Sequence, residues 1–146
     1  MCGIAGFMSF NRYFNEEDLH KMTNRIAHRG PDAEGFFFDG ICGLGHRRLS
    51  IIDLSDRSNQ PMYSANGRYV IVYNGEVYNF QEIGAGLKES SGNTSLKLKT
   101  SSDTEVILEA FSQLGIDSIQ QLNGMFAIAI YDKELQELYL IRDRLG

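Results

Sequence analysis

The segments of this chain that read as β-strand come in clusters, and helical patterns seldom separate them. Residues 2–10, Gly35–Phe38, Cys42–Asp53, Arg68–Tyr73, Gly124–Tyr131 and Glu137–Arg142 are rich in β-branched, aromatic and small residues. Parallel strands need a long crossover between each pair, whereas antiparallel strands can follow one another through short turns. The clustering therefore predicts an α+β domain of antiparallel sheets with its helices set apart, and disfavours a doubly wound fold.

Three helices are predicted. Asn15 is placed to cap the first, whose apolar residues Leu19, Met22 and Ile26 recur at helical spacing and which ends near His28. Phe80–Lys88 forms a short second helix. Asp103–Leu114 forms the third, with Ser102 or Asp103 at its cap and Glu105 in its first turn. Leu54–Ser64 reads as irregular, and the Ser/Thr/Lys-rich stretch Ser90–Ser102 as a loop. Glu137–Arg142 and the strand before it form a hairpin through Asp132–Gln136. The last residues, Arg142-Asp143-Arg144-Leu145-Gly146, hold neither helix cap nor polar tail, which implies that the domain spanning 1–146 continues in a longer protein.

The 146 residues suffice for one domain with its own core. A net charge of −5 supplies no basic footprint, so nucleic acid is not the expected partner. No apolar run is long enough to span a membrane, and no charged segment followed by an apolar one opens the chain. The two cysteines, Cys2 and Cys42, and three histidines show neither disulfide nor zinc spacing, so no metal is expected and the reducing cytoplasm is the predicted compartment. Cys42, within Ile41-Cys42-Gly43-Leu44, reads as a small buried apolar residue.

Cys2 is the residue with the most chemical potential. If Met1 is removed, one Cα carries both a thiol and a free α-amine. Ordinary values of about 8.5 for the thiol and about 7.7–8.0 for the amine let the amine accept the thiol proton near neutral pH. Four other clusters could serve such a nucleophile. Arg29-Gly30-Pro31-Asp32 is a rigid turn. In the strand containing Gly45-His46-Arg47-Arg48, alternation sends Arg47 and Arg48 to opposite faces, so one guanidinium can reach into a cleft and grip a carboxylate. Asn74-Gly75-Glu76 has two readings: a tight hairpin turn, or an amide and a backbone N–H that together stabilise an oxyanion, followed by an acid able to bind an ammonium. Ser102-Asp103-Thr104-Glu105 is a good helix start. A Cys–His hydrolase using His28 or His46 is the competing reading, but neither histidine has the surrounding sequence of that class.

Taken in order, Cys-Gly-Ile-Ala-Gly at positions 2–6, Arg-Gly-Pro-Asp at 29–32, His-Arg-Arg-Leu-Ser-Ile-Ile-Asp at 46–53, Gln60-Pro61-Met62, Tyr-Asn-Gly-Glu-Val-Tyr-Asn at 73–79, Ser-Asp-Thr-Glu at 102–105 and Gly124-Met125-Phe126-Ala127 resemble the N-terminal glutaminase domain of glutamine-hydrolysing asparagine synthetases. These are class II glutamine amidotransferases of the N-terminal nucleophile hydrolase group. The resemblance implies a four-layer αββα sandwich, two antiparallel sheets between helices. It implies Cys2 as nucleophile, with Asn74 and Gly75 as the oxyanion hole. Arg48 would hold the glutamine α-carboxylate, Asp103 its α-ammonium with Glu76 nearby, and backbone groups at Leu49, Ile51 and Ile52 would line the pocket. Arg29 would support the catalytic end.

The domain itself is expected to need no cofactor. ATP and magnesium would belong to a C-terminal synthetase domain that activates aspartate, and glutamine and that domain are the expected partners, with homodimerisation left open. Two alternatives stand beside this reading. The ammonia acceptor could be another carboxylate, such as one on a sugar in polysaccharide synthesis. A chain that keeps Met1 would instead be a non-catalytic regulatory module.

Overall fold

A computed structural model of the chain describes residues 2–49, 59–90 and 98–146. The elements, in order, are β1 (Gly3–Met8), α1 (Glu16–Arg25), β2 (Ala33–Phe38), β3 (Cys42–Arg48), β4 (Met62–Tyr63), β5 (Tyr69–Val77), α2 (Phe80–Ser90), α3 (Asp103–Leu114), β6 (Gly124–Asp132) and β7 (Glu137–Arg142). Two antiparallel sheets result, one of three strands ordered β1-β3-β2 and one of four ordered β4-β5-β6-β7.

Strand alternation builds four layers from these sheets. On β3, Leu44 turns toward β5 and packs with Val70, Val72, Ala129 and Tyr131, which forms the layer between the sheets. On the opposite face of β3, Gly43 and Gly45 receive α1, whose Leu19 and Thr23 are buried. A side chain at position 45 would meet the Thr23 hydroxyl within 2.0 Å, so glycine there lets the helix lie close. The other face of the four-stranded sheet supplies Ile71, Tyr73, Val77, Phe126, Ile128 and Ile130. These pack under Ile83 and Leu87 of α2 and Val106, Ile107 and Phe111 of α3. Burial of each such aliphatic side chain is worth roughly 1.5–3 kcal/mol, so the first layer holds the sheets face to face and the second holds α2 and α3 on the outer face of the four-stranded sheet. The α+β, αββα expectation therefore holds.

The helix starts follow the sequence closely. Asn15 accepts from the N–H groups of Glu17 and Asp18, and the Asp18 carboxylate accepts from the Asn15 N–H in return. The first helix ends earlier than expected, at Arg25. A 3₁₀ turn over Ala27–Arg29 then carries His28 and Arg29. Ser102 caps α3, accepting from the Thr104 N–H at 3.1 Å. Glu105 does more than complement the helix dipole: it is buried and accepts from the backbones of Lys99 and Thr100 and from the Thr100 hydroxyl. Cys42 is fully buried, and burial pushes its thiol up to about 12. No helix among the described residues is long and apolar enough to cross a membrane.

Candidate active site

Asn74-Gly75 is not a hairpin turn. β5 runs unbroken from Tyr69 to Val77 and pairs with β6 throughout, Asn74 opposite Ala127 and Gly75 opposite Phe126. The local Asn-Gly signal is overridden by nine consecutive pairings and by the apolar residues on both faces.

The pairing decides where the β5 backbone points. Phe126 donates its N–H to the Asp143 carboxylate, and its carbonyl accepts from the Asp143 N–H, so both polar groups face away from β5. In an antiparallel ladder its partner Gly75 must then also turn its N–H away from β6. Two residues to either side, the equivalent groups are taken. The Tyr73 N–H donates to the Gln60 side-chain oxygen, and the Val77 N–H donates to Asp103 Oδ2 at 3.2 Å. The Gly75 N–H thus lies on an exposed strand edge between two occupied positions. A side chain at 75 would meet the Met125 carbonyl oxygen at 2.1 Å, which explains the glycine on packing grounds alone.

Alternation also sorts the side chains. Val70 and Val72 face the three-stranded sheet, so Asn74 and Glu76 do too. On the facing sheet, His46 and Arg48 share the inward side with Leu44. Arg47 points outward, to Glu34 at 2.6 Å, to the Thr23 carbonyl and to the Asn24 side chain. The expectation that the two arginines diverge is met: Arg48 is 8% exposed and donates to Asn59 Oδ1 at 2.6 Å. Cys2 lies just before β1, whose Ile4 and Met8 face the same inter-sheet layer. Its sulfur accepts from the Leu49 N–H at 3.4 Å and lies 3.8 Å from the Leu49 carbonyl oxygen. Arg29 donates its Nε–H to the Cys2 carbonyl at 3.1 Å.

A connected path therefore runs from the thiol to the start of α3. Cys2 touches Leu49; the adjacent Arg48 is held by Asn59; the adjacent Gln60 holds Tyr73; and the Tyr73 hydroxyl donates to Asp103 Oδ2 at 2.7 Å. Gln60 also donates to the Thr104 hydroxyl at 3.4 Å, which ties the edge of β5 to α3. Asn59, Gln60 and Tyr73 were not assigned roles from sequence. Gln60-Pro61-Met62 was visible as a motif, but nothing in an irregular segment says which backbone group its amide will meet. Ile51 and Ile52 lie outside the described residues.

Neither imidazole joins the thiol among the described residues. His28 is exposed on its 3₁₀ turn. His46 is 1% exposed between the sheets, where burial lowers its pKa to about 4, a hydrogen bond to the Tyr73 backbone opposes the fall, and the Arg48 charge adds to it. It is therefore neutral near pH 7, and its Nε2 has no hydrogen-bond partner among the described residues. The arrangement offers a partly buried thiol at Cys2, an exposed N–H beside an amide side chain, a buried guanidinium and a fixed carboxylate.

A family model for the glutamine amidotransferase domain matches residues 1–146, and the chain belongs to that family. Among its relatives is a putative glutamine-hydrolysing asparagine synthetase 2 of Methanocaldococcus jannaschii, 41% identical over all of this chain and 30% of that protein. Asparagine synthetase 2 of Bacillus subtilis is 38% identical over all of this chain and 19% of its own length. The chain thus spans less than a third of either relative. Among solved structures, the glutamine phosphoribosylpyrophosphate amidotransferase of B. subtilis, complexed with ADP and GMP, superposes with a TM-score of 0.56 at 25% identity, over 72% of this chain and 24% of that one. The fold is that of the N-terminal nucleophile hydrolases.

Proposed function

We propose that this domain cleaves the side-chain amide of free glutamine, with Cys2 as nucleophile. The observation that carries the reading is the exposed edge of β5, where the Gly75 N–H lies between two satisfied groups beside an Asn74 side chain turned toward the Cys2 layer. Glutamine is a zwitterion with an amide tail, so its site needs a cation, an anion and an amide-cleaving end. Arg48 takes the α-carboxylate, because a guanidinium fork matches two oxygens. Asp103, with Glu76 nearby, takes the α-ammonium. The backbone of Leu49, which touches the Cys2 sulfur, lines the pocket.

The Cys2 thiolate attacks the amide carbon after its proton passes to the Cys2 α-amine. Asn74 Nδ2–H and Gly75 N–H stabilise the oxyanion. The intermediate collapses with breakage of the C–N bond, the amine returns the proton to the leaving nitrogen, and ammonia departs. Water then hydrolyses the thioester to glutamate and regenerates the thiol. The step requires no metal, but it requires a free amine and hence removal of Met1.

The ammonia is passed on, in this proposal, to a C-terminal synthetase domain that forms asparagine from aspartate. ATP and magnesium belong to that domain. Two reduced cysteines fit a cytoplasmic enzyme. The test is an intact-mass measurement of the N-terminus paired with an assay of ammonia release from glutamine. Protein lacking Met1 is expected to release ammonia and protein retaining it is not; inert protein with a free Cys2 would refute the proposal.

A further inference from the structure

Asp103 is not held as a free carboxylate. Its Oδ2 accepts from the Tyr73 hydroxyl at 2.7 Å and from the Val77 N–H at 3.2 Å, which leaves Oδ1 as the oxygen available to a ligand. Tyr73 is well placed to impose this. It is 3% exposed, its ring packs in the layer between the four-stranded sheet and α2 and α3, and Gln60 holds its backbone. Burial first, and then the Asp103 charge, push the phenol up, so it remains an O–H donor throughout the physiological range. A carboxylate torsion is otherwise soft, and Val77 alone would leave Oδ2 with one donor.

We propose that Tyr73 is a positioning residue that presents a single Asp103 oxygen to the substrate amine, and so sets the preference for an α-amino amide over the same amide without the amine. The proposal rests on the reading of Asp103 as the acceptor for the glutamine ammonium. An ammonium donates along three directions and is satisfied best by an acceptor whose position is fixed. An amide lacking that group gains nothing from Asp103 and is indifferent to how the carboxylate is turned.

Tyr73→Phe removes the hydroxyl and keeps the ring. In the protein as the cell makes it, this variant is expected to raise KM for L-glutamine about 5- to 20-fold, at or below the low end for losing a hydrogen bond to a charged group because the hydroxyl acts through Asp103, and to leave kcat at saturation within about twofold. With 4-carbamoylbutanoate, which is glutamine without its α-amine, kcat/KM is expected to stay unchanged, so the preference for glutamine falls by the same factor. Unchanged analogue turnover also reports that the variant is folded. The Asp103→Asn variant and the double variant supply a second route: the hydroxyl should add nothing once Asp103 is neutral. An unaltered glutamine KM in Tyr73→Phe, or equal losses with both substrates, overturns the proposal. If instead Asp103→Asn itself leaves the glutamine KM unchanged, the assignment of the ammonium to Asp103 fails, and this inference fails with it.

Discussion

The sulfur of Cys2 lies 3.4 Å from the backbone nitrogen of Leu49 and accepts its N–H. Forty-seven residues separate the two, and pairing of β1 with β3, Gly3 opposite Arg47, brings them together. The same pairing brings Cys2 to the end of β3 that carries Arg48. A chain terminus that would otherwise fray is anchored on both sides, by Leu49 at the sulfur and by Arg29 at the Cys2 carbonyl.

Cys2→Ala gives up the weak anchor at the sulfur but keeps the Arg29 bond to the backbone carbonyl of residue 2. Cys2 is only partly buried, so the substitution should leave the thermal midpoint nearly unchanged while abolishing ammonia release from glutamine. Residual turnover at the level of the unsubstituted protein, in an ammonia assay run beside a melting curve, would remove the terminal thiol from the mechanism.

Arg48→Ala is expected to raise the KM for glutamine roughly 10- to 150-fold, since a hydrogen bond to a charged group is worth roughly 1.5–3 kcal/mol. Asn59 loses its described partner at the same time, so some stability should be lost as well. Steady-state kinetics decide the matter: an unaltered KM would show that the carboxylate is gripped elsewhere.

Gly75→Ala places a methyl 2.1 Å from a backbone oxygen of β6, and neither strand can yield without disturbing the ladder. A loss of about 1–3 kcal/mol is predicted, as for other overpacked sites. Ammonia release should fall with it, because the Gly75 N–H moves. Denaturant unfolding and the glutaminase assay measure the two effects separately; an unchanged denaturation midpoint would contradict the close approach.

Asp132 predicts a pH dependence of stability away from the site. It is 1% exposed and is bound by Arg68 through Nε and Nη2, with the Glu134 and Leu135 N–H groups also donating to it. Burial alone would raise its pKa, but these bonds outweigh it and hold the carboxyl below its ordinary value. A carboxyl depressed in the folded state binds protons more weakly there than in the unfolded chain. Its contribution is therefore complete above the unfolded value of about 3.9 and is lost as pH falls through the lower folded one. Asp132→Asn should unfold more easily at neutral pH, with the gap to the unsubstituted protein narrowing below about pH 4. A gap that stays constant down to pH 2.5 in chemical denaturation would count against the ion pair.

The clustering of strands, the Asn15 cap, a cap for α3 at Ser102 or Asp103, the burial of Cys42 and the divergence of Arg47 and Arg48 were all legible in the chain. Each depends on neighbours a few residues away or on strand alternation, and such signals are carried by local sequence. The glutaminase resemblance was legible too, because it lies in the order of short motifs. Asn74-Gly75 could be read two ways, and its local chemistry favoured a turn equally well. The choice lay with β6, some fifty positions further on, whose pairing carries β5 straight through and aims the Gly75 N–H outward.

The amino-acid sequence by itself therefore determined which residues have the right chemistry: a thiol beside a potential free amine, a guanidinium, an amide beside a glycine, and an acid at a helix start. Only the tertiary structure decided how they are held, through Leu49 at the thiol, Asn59 at Arg48, Gln60 at Tyr73 and Tyr73 at Asp103. These partners are side chains and backbone groups whose hydrogen bonds span up to 47 positions of sequence. Their geometry comes into being only when the two sheets close face to face and exclude water from the groups between them.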